Sequence, residues 1–409
     1  MAKYKIKDGV GIIPEGKKQI ADEAFRGCSG LTSVVIPDSV TEIGDSAFSG
    51  CTGLTSIVIP SSVAKIRYST FYGCTGLTSI VVEEGNKVYD SRENCNAIIE
   101  TKSNTLLRGC QSTVIPSSVT EIGRGAFLRC TGLTSVVIPD SVTEIGDSVF
   151  LECTGLTSIT IPSSVTKICG YAFLRCTGLT SVVIPDSVTE IGDYAFSGCT
   201  GLTSIVIPSS VSKIGKTSFS GCTGLTSIVV EEGNKVYDSR KNCNAIIETE
   251  TNTLVYGCQS TVIPSSVTEI DEWAFKDCTG LTSIVIPSSV TKIGRGAFLR
   301  CTGLTSVVIP DSVTEIGDSV FLECTRLTSV VIPDSVTEIG DEAFSYCTEL
   351  TEVALQTGIN RIAENAFRIC PKLTCISVPA KKADYYKKRL LEMFHHYIVE
   401  REPEKKAKK

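Results

Sequence analysis

The stretch Leu133-Thr-Ser-Val136-Val-Ile138-Pro139-Asp-Ser-Val142-Thr-Glu-Ile145-Gly146-Asp-Ser-Val-Phe150-Leu-Glu-Cys153 decides the fold, because its pattern recurs along most of the chain. Its first part predicts a short strand whose inner face carries Leu133, Val136 and Ile138, since β-branched residues favour strands. Pro139 ends this main strand because proline has no amide hydrogen to donate.

The second part of the unit predicts a shorter extended segment followed by a turn. Val142 and Ile145 begin this second segment, and Gly146 lets the backbone change direction. We expect Asp147 to cap one helical or 3₁₀ turn that buries Phe150 and Cys153.

Repetition of the unit is regular enough to give a closed register. With the residue before the proline as reference, 16 strand positions run from Ile13 to Val378, separated by 13 intervals of 23 residues and two of 33. One unit cannot bury its apolar face alone, but stacked units can. The sequence therefore predicts a mostly β solenoid of about 15–16 coils with short helical or 3₁₀ turns, forming a single curved rod.

The pattern Cys-x-x-Leu-x-x-Ile-x-Ile-Pro-x-x-Val-x-x-Ile-Gly-x-x-Ala-Phe-x-x-Cys resembles the BspA-like class of bacterial and protist leucine-rich repeats. The resemblance covers about residues 10–380. It implies a leucine-rich-repeat solenoid of the surface-antigen type. It also implies an adhesin that binds matrix proteins such as fibronectin and fibrinogen, or host cells.

Composition excludes several classes of function. The net charge is −6 and the pI is about 5.3, so a nucleic-acid partner is not expected. No stretch approaches the roughly 18 apolar residues of a membrane span, so membrane insertion is not expected. The N-terminus shows no secretory signal, which predicts a cytoplasmic protein, or a secreted or cell-surface one if a leader has been removed.

The two 33-residue intervals form near-identical variant coils, at residues 83–112 and 231–260. Within the first, Ala97–Glu100 and Thr105–Arg108 flank a Lys-Ser-Asn turn, which predicts a β-hairpin. One interpretation is that the pair of hairpins projects from the stack and contacts a partner. The other is that they are variant coils of the family without a separate role.

Two outward columns of side chains differ in chemistry. The second segment carries Glu42, Lys65, Glu121, Glu144, Lys167, Glu190, Lys213, Glu269, Lys292, Glu315, Glu338 and Arg361, whose signs mostly alternate. This column predicts a solvated ion ladder worth about 0.2–1 kcal/mol per pair. The main-strand column is uncharged and β-branched: Val35, Val58, Val137, Thr160, Val183, Val206, Val285, Val308 and Val331. This composition is expected for a contact face, or simply for β-branched residues that stiffen the strand. The candidate partner-binding residues are Val137, Thr160, Val183, Val206, Val285 and Val308.

Cysteine is the only reactive residue type in quantity, with 19 copies, 13 of them on the repeat. We expect a column of buried, reduced thiols. Cys95–Cys110 and Cys243–Cys258 are the disulfide candidates if the protein is exported.

Motifs for catalysis or metal binding are not found in the sequence. No Cys-x-x-Cys, nucleophile elbow or phosphate loop occurs, and the only histidines are His395 and His396. We therefore predict no enzyme, no cofactor and no metal site.

The ends depart from the repeat. We expect residues 1–380 to form the solenoid, including an N-terminal cap around Tyr4–Ile13. Apolar residues at 3–4 spacing predict an amphipathic capping helix over 381–402, alternatively a docking helix. The Lys-rich residues 403–409 are expected to be disordered.

The function predicted from the sequence is non-enzymatic protein binding through the main-strand face, by a monomer. There are three alternatives: an intracellular protein-interaction scaffold, a passive spacer and a carbohydrate-binding module. The aromatic residues that could bind a carbohydrate are too scattered in sequence to indicate an aromatic platform; they are Tyr72, Tyr89, Tyr194, Tyr237 and Trp273.

Overall fold

The computed structural model describes residues 4–402. These residues form two compact units: unit 1 contains residues 4–202 and 210–219, and unit 2 contains 203–209 and 220–402. Each unit is a β-solenoid of stacked coils with very little helix, which confirms the predicted fold class. The tail 403–409, predicted to be disordered, lies outside the described residues.

Main strands in unit 1 pair in parallel at a spacing of one repeat. Ser56 pairs with Ser79 and Val58 with Val81, so equivalent side chains point to the same side. In the coils of Val137, Thr160 and Val183 the main strand is reduced to isolated parallel bridges. The strands in this series are Val10–Ile12, Ser33–Val35, Ser56–Ile59 and Ser79–Val82, and Lys5–Lys7 precedes them.

Second strands in unit 1 are two residues long and also pair in parallel, for example Glu42 with Lys65 and Ile43 with Ile66. Their isoleucines turn inward, and their charged residues turn outward. They are Gln19–Ile20, Glu42–Ile43, Lys65–Ile66, Glu121–Ile122, Glu144–Ile145, Lys167–Ile168, Glu190–Ile191 and Lys213–Ile214.

Unit 2 repeats the same arrangement. Its main strands are Ser204–Ile207, Ser227–Val230, Ser283–Val285, Ser306–Val308, Ser329–Val331, Glu352–Ala354 and Cys375–Val378. Its second strands are Glu269–Ile270, Lys292–Ile293, Glu315–Ile316, Glu338–Ile339 and Arg361–Ile362.

The turn that carries the phenylalanine is held partly by the next coil. The amide of Cys153 bonds to the carbonyl of Phe150 within the turn (3.0 Å), whereas the amide of Phe150 bonds to Ala172 of the next coil (2.8 Å). Ser148 and Glu152, two residues to either side of Phe150, have left-handed φ values of 57° and 58°. This alternation of backbone conformation aims every second amide at the neighbouring coil.

Aspartates in this turn also act between coils. We predicted that the aspartate after the glycine caps its own turn. In unit 2, Asp318 Oδ1 instead accepts a hydrogen bond from the amide of Asp341, its equivalent in the next coil, at 2.8 Å. In unit 1, Asp193 accepts from the amide of Lys216 at 2.7 Å in the same way. In both cases the donor is a backbone amide of the next coil that points back to the coil before it, so the carboxylate links two coils.

The core of each unit is built from columns of identical residues. Phenylalanine rings stack at centroid distances of 5.1–5.7 Å from Phe127 to Phe219, and of 5.0–5.5 Å from Phe275 to Phe367. Beside them, buried thiols donate to the phenylalanine carbonyl of the preceding coil, as Cys176 Sγ does to Phe150 at 3.0 Å. The predicted column of thiols is therefore present and mostly buried, and at least nine of its 13 members donate to a phenylalanine carbonyl.

Each variant coil contains the predicted hairpin. In unit 1, Ala97–Glu100 pairs antiparallel with Thr105–Gly109, and Tyr89–Asp90 pairs with the first of these strands. In unit 2, the equivalent strands are Tyr237–Asp238, Ala245–Glu248 and Thr253–Gly257. A 3₁₀ turn precedes each hairpin, Arg92–Asn94 and Arg240–Asn242.

The interpretation of these hairpins as projections is wrong. Ile99 and Leu106 are fully buried, and Leu106 pairs in parallel with Ile122 of the next second strand. The hairpin therefore takes the place of a second strand within the stack, because its apolar residues gain more from burial in the core than from exposure.

The C-terminal segment covers the last coil, but the prediction of one helix over 381–402 is wrong. It contains the helix Ala383–Lys387, the 3₁₀ segment Glu392–Tyr397 and the strand Ile398–Glu400. That strand pairs in parallel with Cys375–Val378 and so satisfies the open edge of the sheet. At the other end, Lys5–Lys7 forms an antiparallel hairpin with Val10–Ile12.

Candidate protein-binding faces

Unit 1 exposes a column of β-branched side chains on its main strands. Val137, Thr160 and Val183 lie side by side through parallel bridges, and all three are exposed, with 75% of Val137 and 78% of Val183 accessible. We call this column the unit 1 valine face; its members are Val35, Val58, Val81, Val114, Val137, Thr160 and Val183. Sequence reasoning missed Val81 and Val114, although the same register contains them.

Unit 2 exposes an equivalent column. Val285 pairs with Val308, and Val206 pairs with Val229. Val285 is 78% exposed, whereas Val206 is 46% exposed. We call this column the unit 2 valine face; its members are Val206, Val229, Val262, Val285, Val308 and Val331. Of the residues predicted from sequence, Val206, Val285 and Val308 belong to this second face.

Both faces are neutral in the middle and acidic at one edge. Ser135 and Ser181 alternate with the valines on the outer side of unit 1, and both are exposed. The residue after the strand-ending proline is aspartate in several coils, including Asp140 and Asp186 of unit 1 and Asp311 of unit 2, and these are exposed too. Contiguous exposed apolar side chains of this kind often mark a site of protein contact.

A ladder of threonine hydrogen bonds runs along the other edge of each face. Thr157 Oγ1 donates to the carbonyl of Thr134 at 3.2 Å, and Thr55 Oγ1 does so to Thr32 at 3.2 Å. In unit 2, Thr328 Oγ1 reaches Thr305 at 3.3 Å. The threonine of each coil thus fixes the distance to the coil before it.

The second-segment column is an ion ladder, as predicted. Glu190 contacts Lys213 at 2.8 Å and Lys167 at 3.6 Å, and Glu269 contacts Lys292 at 2.6 Å. The hydrogen bond from Lys213 is the main reason why the pKa of Glu190 is lowered.

A second ion ladder, which was not predicted from the sequence, follows the phenylalanine column. There Arg129 and Arg175 both contact Glu152, at 2.7 and 3.4 Å.

All 19 cysteines are free thiols in the structure. Burial raises the pKa of Cys51 and Cys176 to about 12, so these thiols are protonated at neutral pH and unreactive. Cys95 and Cys110, named as a disulfide pair for an exported protein, donate to two different carbonyls, Ala97 at 3.9 Å and Asn96 at 3.3 Å.

Residues 4–402 contain no group of His, Cys, Asp or Glu side chains arranged to hold a metal ion. His395 contacts the carbonyl of Leu390 at 3.1 Å, and the ring of His396 lies against Tyr397. Within the same described range, no helix is both long and apolar enough to cross a membrane.

The aromatic residues considered for carbohydrate binding do not come together. Tyr89 and Tyr237 are buried. Tyr194, however, stacks on Tyr171, with centroids 5.1 Å apart and planes within 5°. Tyr171 is exposed and Tyr194 half-buried, which makes them a small aromatic surface in unit 1. The signal for this pair was the 23-residue spacing of the two tyrosines.

Comparison with known families identifies the class of protein. The profile described as "BspA type Leucine rich repeat region" matches residues 11–107, 98–226 and 246–374, in six copies. The chain therefore belongs to the BspA-type leucine-rich-repeat family. Comparison with curated protein sequences gives no match.

The solved structures to which the chain is similar include three bacterial proteins. A leucine-rich cell surface protein from Faecalibacterium prausnitzii A2-165 has 30% sequence identity and a TM-score of 0.62, over 93% of each chain. The pneumococcal vaccine antigen PcpA has 19% identity and a TM-score of 0.53, covering 98% of this chain and 96% of its own. A leucine-rich-repeat protein from Bacteroides ovatus ATCC 8483 has 29% identity and a TM-score of 0.47, covering 96% and 92%.

Family membership defines the function at a coarse level. Leucine-rich-repeat proteins generally bind other proteins, and solenoids of this family are generally non-enzymatic. The family thus indicates a protein-interaction or surface role.

Proposed function

We propose that this chain is an adhesin-like binding module that takes an extracellular-matrix or host-cell protein on its valine faces. The observation that carries the proposal is the exposure of β-branched apolar side chains in register, with Val137 and Val183 in unit 1 and Val285 and Val308 in unit 2 each at least 70% exposed. Isolated exposed valines need no explanation, but aligned columns of them are unusual on a surface with no contact to make.

The chemistry of the faces favours one kind of partner. Strand side chains stiffened by β-branching lose little conformational entropy on contact, which favours a flat protein surface over a flexible small molecule. The aspartates along one edge, such as Asp140 and Asp311, favour a partner whose apolar patch is bordered by lysine or arginine.

The test is binding of the purified chain to immobilised fibronectin and fibrinogen by surface plasmon resonance. Val137→Lys with Val183→Lys places charge on the unit 1 face, and Val285→Lys with Val308→Lys does so on the unit 2 face. We expect at least one pair to weaken binding by about tenfold or more, because a desolvated unpaired charge is costly at an interface.

The matched controls replace the same valines by threonine, the residue that Thr160 already provides in this register. Threonine keeps the β-branch and adds no charge, so we expect the affinity of these variants to change less than about threefold. The proposal is wrong if neither matrix protein gives saturable binding, or if both lysine pairs, shown to be folded by circular dichroism, bind as the native chain does.

A second candidate function, carbohydrate binding, is favoured by the Tyr171–Tyr194 stack. Sugar rings pack on exposed aromatic faces, and Tyr171 offers one. A glycan array would distinguish the two candidates, because binding that is lost in Tyr171→Ala but retained in the valine variants belongs to the aromatic pair alone.

A further inference from the structure

A cavity in unit 1 lies where the first hairpin meets the coil of Phe71. Its volume is about 400 Å³, within the range of pockets that hold small organic molecules. The rings of Tyr68 and Phe71 line part of it. The charged side chains of its wall are Arg67, Arg108, Arg124, Glu100 and Glu121.

Arg108 is the unusual member of this wall because its guanidinium is buried without a carboxylate. Only 6% of the residue is exposed. Nη1 reaches the carbonyl of Gly125 at 3.4 Å, and Nη2 reaches the carbonyl of Leu128 at 3.3 Å and Cys130 Sγ at 4.0 Å. Nε is buried and has no hydrogen-bond partner. These contacts are long compared with the usual 2.9–3.0 Å, so the donors of the group are poorly satisfied.

The neighbouring groups do not neutralise Arg108. Burial raises the pKa of Cys74 to about 11 and also raises that of Cys130, so both thiols are neutral at physiological pH. Glu100 accepts a hydrogen bond from Ser103, and Glu121 accepts one from Thr105 at 3.4 Å. Among the residues that the structure describes, no carboxylate forms an ion pair with Arg108.

The two other arginines add positive charge at the same wall. Arg67 is paired with Glu42 at 2.9 Å. Arg124 is exposed and lies over the ring of Tyr68, with its central carbon 5.9 Å from the ring centroid. The cavity therefore combines one paired guanidinium with two, those of Arg108 and Arg124, that have no carboxylate partner in the described chain.

The second variant coil provides an internal comparison. Residues 60–130 and 208–278 differ at only 16 of 71 positions, yet six of these 16 belong to the 13 residues that line the cavity. All three arginines are replaced: the equivalents of Arg67, Arg108 and Arg124 are Gly215, Tyr256 and Glu272. Tyr256 is buried, so the fold does not need an arginine at this place. The arginines of unit 1 are thus a property of this cavity and not of the hairpin coil.

We infer that the unit 1 cavity binds a small organic oxyanion, a carboxylate or a phosphate carried on an apolar body. The guanidinium of Arg108 offers the forked donors that match both kinds of oxygen acceptor. Arg124 supplies the second positive charge, and the Tyr68 ring supplies an apolar wall for the body of the ligand. Such a ligand would give the buried charge the counter-ion that the chain does not provide.

The experiment is isothermal titration calorimetry of the full chain with phenyl phosphate, benzoate and phenol, at constant ionic strength. We expect one or both anions to bind, whereas phenol, which lacks the oxyanion, should not. Tighter binding of phenyl phosphate assigns the site to phosphates, and tighter binding of benzoate assigns it to carboxylates. Arg108→Tyr introduces the residue of the second coil and should weaken anion binding about tenfold or more.

Two further variants make the result decisive. Arg124→Glu changes an exposed side chain to the residue of the second coil, so it tests the cavity even if Arg108→Tyr does not fold. Glu93→Lys makes the same kind of exchange at an exposed position outside the cavity, and it should leave anion binding unchanged. The inference is refuted if neither anion binds the native chain, or if Arg124→Glu and a folded Arg108→Tyr both bind as tightly as the native chain.

Discussion

Replacing one ring of the phenylalanine column should destabilise the protein by an amount that depends on how many rings it touches. Phe173 is fully buried, and its ring centroid lies 5.3 Å from Phe150 and 5.1 Å from Phe196. Phe173→Ala therefore removes a buried ring together with two stacking contacts. We expect a loss of about 3–5 kcal/mol in the free energy of unfolding, to which the two stacking contacts contribute about 0.5–1.5 kcal/mol each.

Phe71 is the matched comparison within the same unit. It is 3% exposed, stacks on Phe48 at 5.5 Å and lines the 400 Å³ cavity. Phe71→Ala removes one stacking contact, and the space it leaves opens into an existing cavity. We expect its cost to be smaller than that of Phe173→Ala by about 1–2 kcal/mol.

The assay is urea unfolding followed by circular dichroism, with the slope of the transition checked for both variants. Equal losses for Phe173→Ala and Phe71→Ala would refute the argument that stacking between coils carries stability. A loss below about 1 kcal/mol for Phe173→Ala would show that the column is not tightly packed.

The other predictions concern thiols and ion pairs. A thiol reagent at pH 8 should modify almost none of the buried cysteines in the native chain and all 19 after unfolding in denaturant; rapid modification of the native protein would contradict the buried column. The pKa of Cys176 is about 12 when folded, above the ordinary thiol value of 9.0, so its stabilisation is complete below pH 9 and is lost as the pH rises from 9 to 12. The unfolding midpoint should therefore fall as the pH rises across that range, and a midpoint that does not change with pH would contradict the raised pKa of Cys176. Glu190→Gln removes contacts to Lys213 and Lys167 and should cost less than about 1 kcal/mol, an effect that 1 M salt abolishes; a salt-independent loss would mean that the glutamate acts through packing.

Much of the fold could be predicted because the same pattern of buried and exposed residues recurs in nearly every coil. The spacing of phenylalanine and of isoleucine-proline fixes which residues share a column, and the columns in the structure are those residues. The hairpin strand Ala97–Glu100 was predictable from its own alternation and turn, with the bounds that the structure shows.

The C-terminal segment was harder because two tendencies compete there. Tyr386, Leu390 and Phe394 have helical spacing, and all three are buried, as an amphipathic helix predicts. The helix nevertheless ends at Lys387, and the segment goes on to form the strand Ile398–Glu400. The unpaired edge of Cys375–Val378 offers backbone hydrogen bonds that a helix could not supply, and these outweigh the local helical preference.

The candidate faces were predictable from register, whereas the arginine cavity was not. Alternation along a strand places Val137 outward without further information. In the sequence, Arg108 is an ordinary residue at the end of a hairpin strand, and nothing there indicates that it is buried. Its burial results from packing against the next coil. The available signal was the exchange of Arg108 for Tyr256 between two nearly identical coils.

The most direct test of the proposed function is hydrogen–deuterium exchange of the chain with and without bound fibronectin or fibrinogen. We expect binding to slow amide exchange in main-strand segments, namely residues 135–138 and 181–184 of unit 1 or 283–286 and 306–309 of unit 2. Segments of the ion ladder, such as Glu144–Ile145 and Lys292–Ile293, should be unaffected. Protection confined to the ion ladder, or no protection at saturating concentrations of either matrix protein, would contradict the proposal that the valine faces bind the partner.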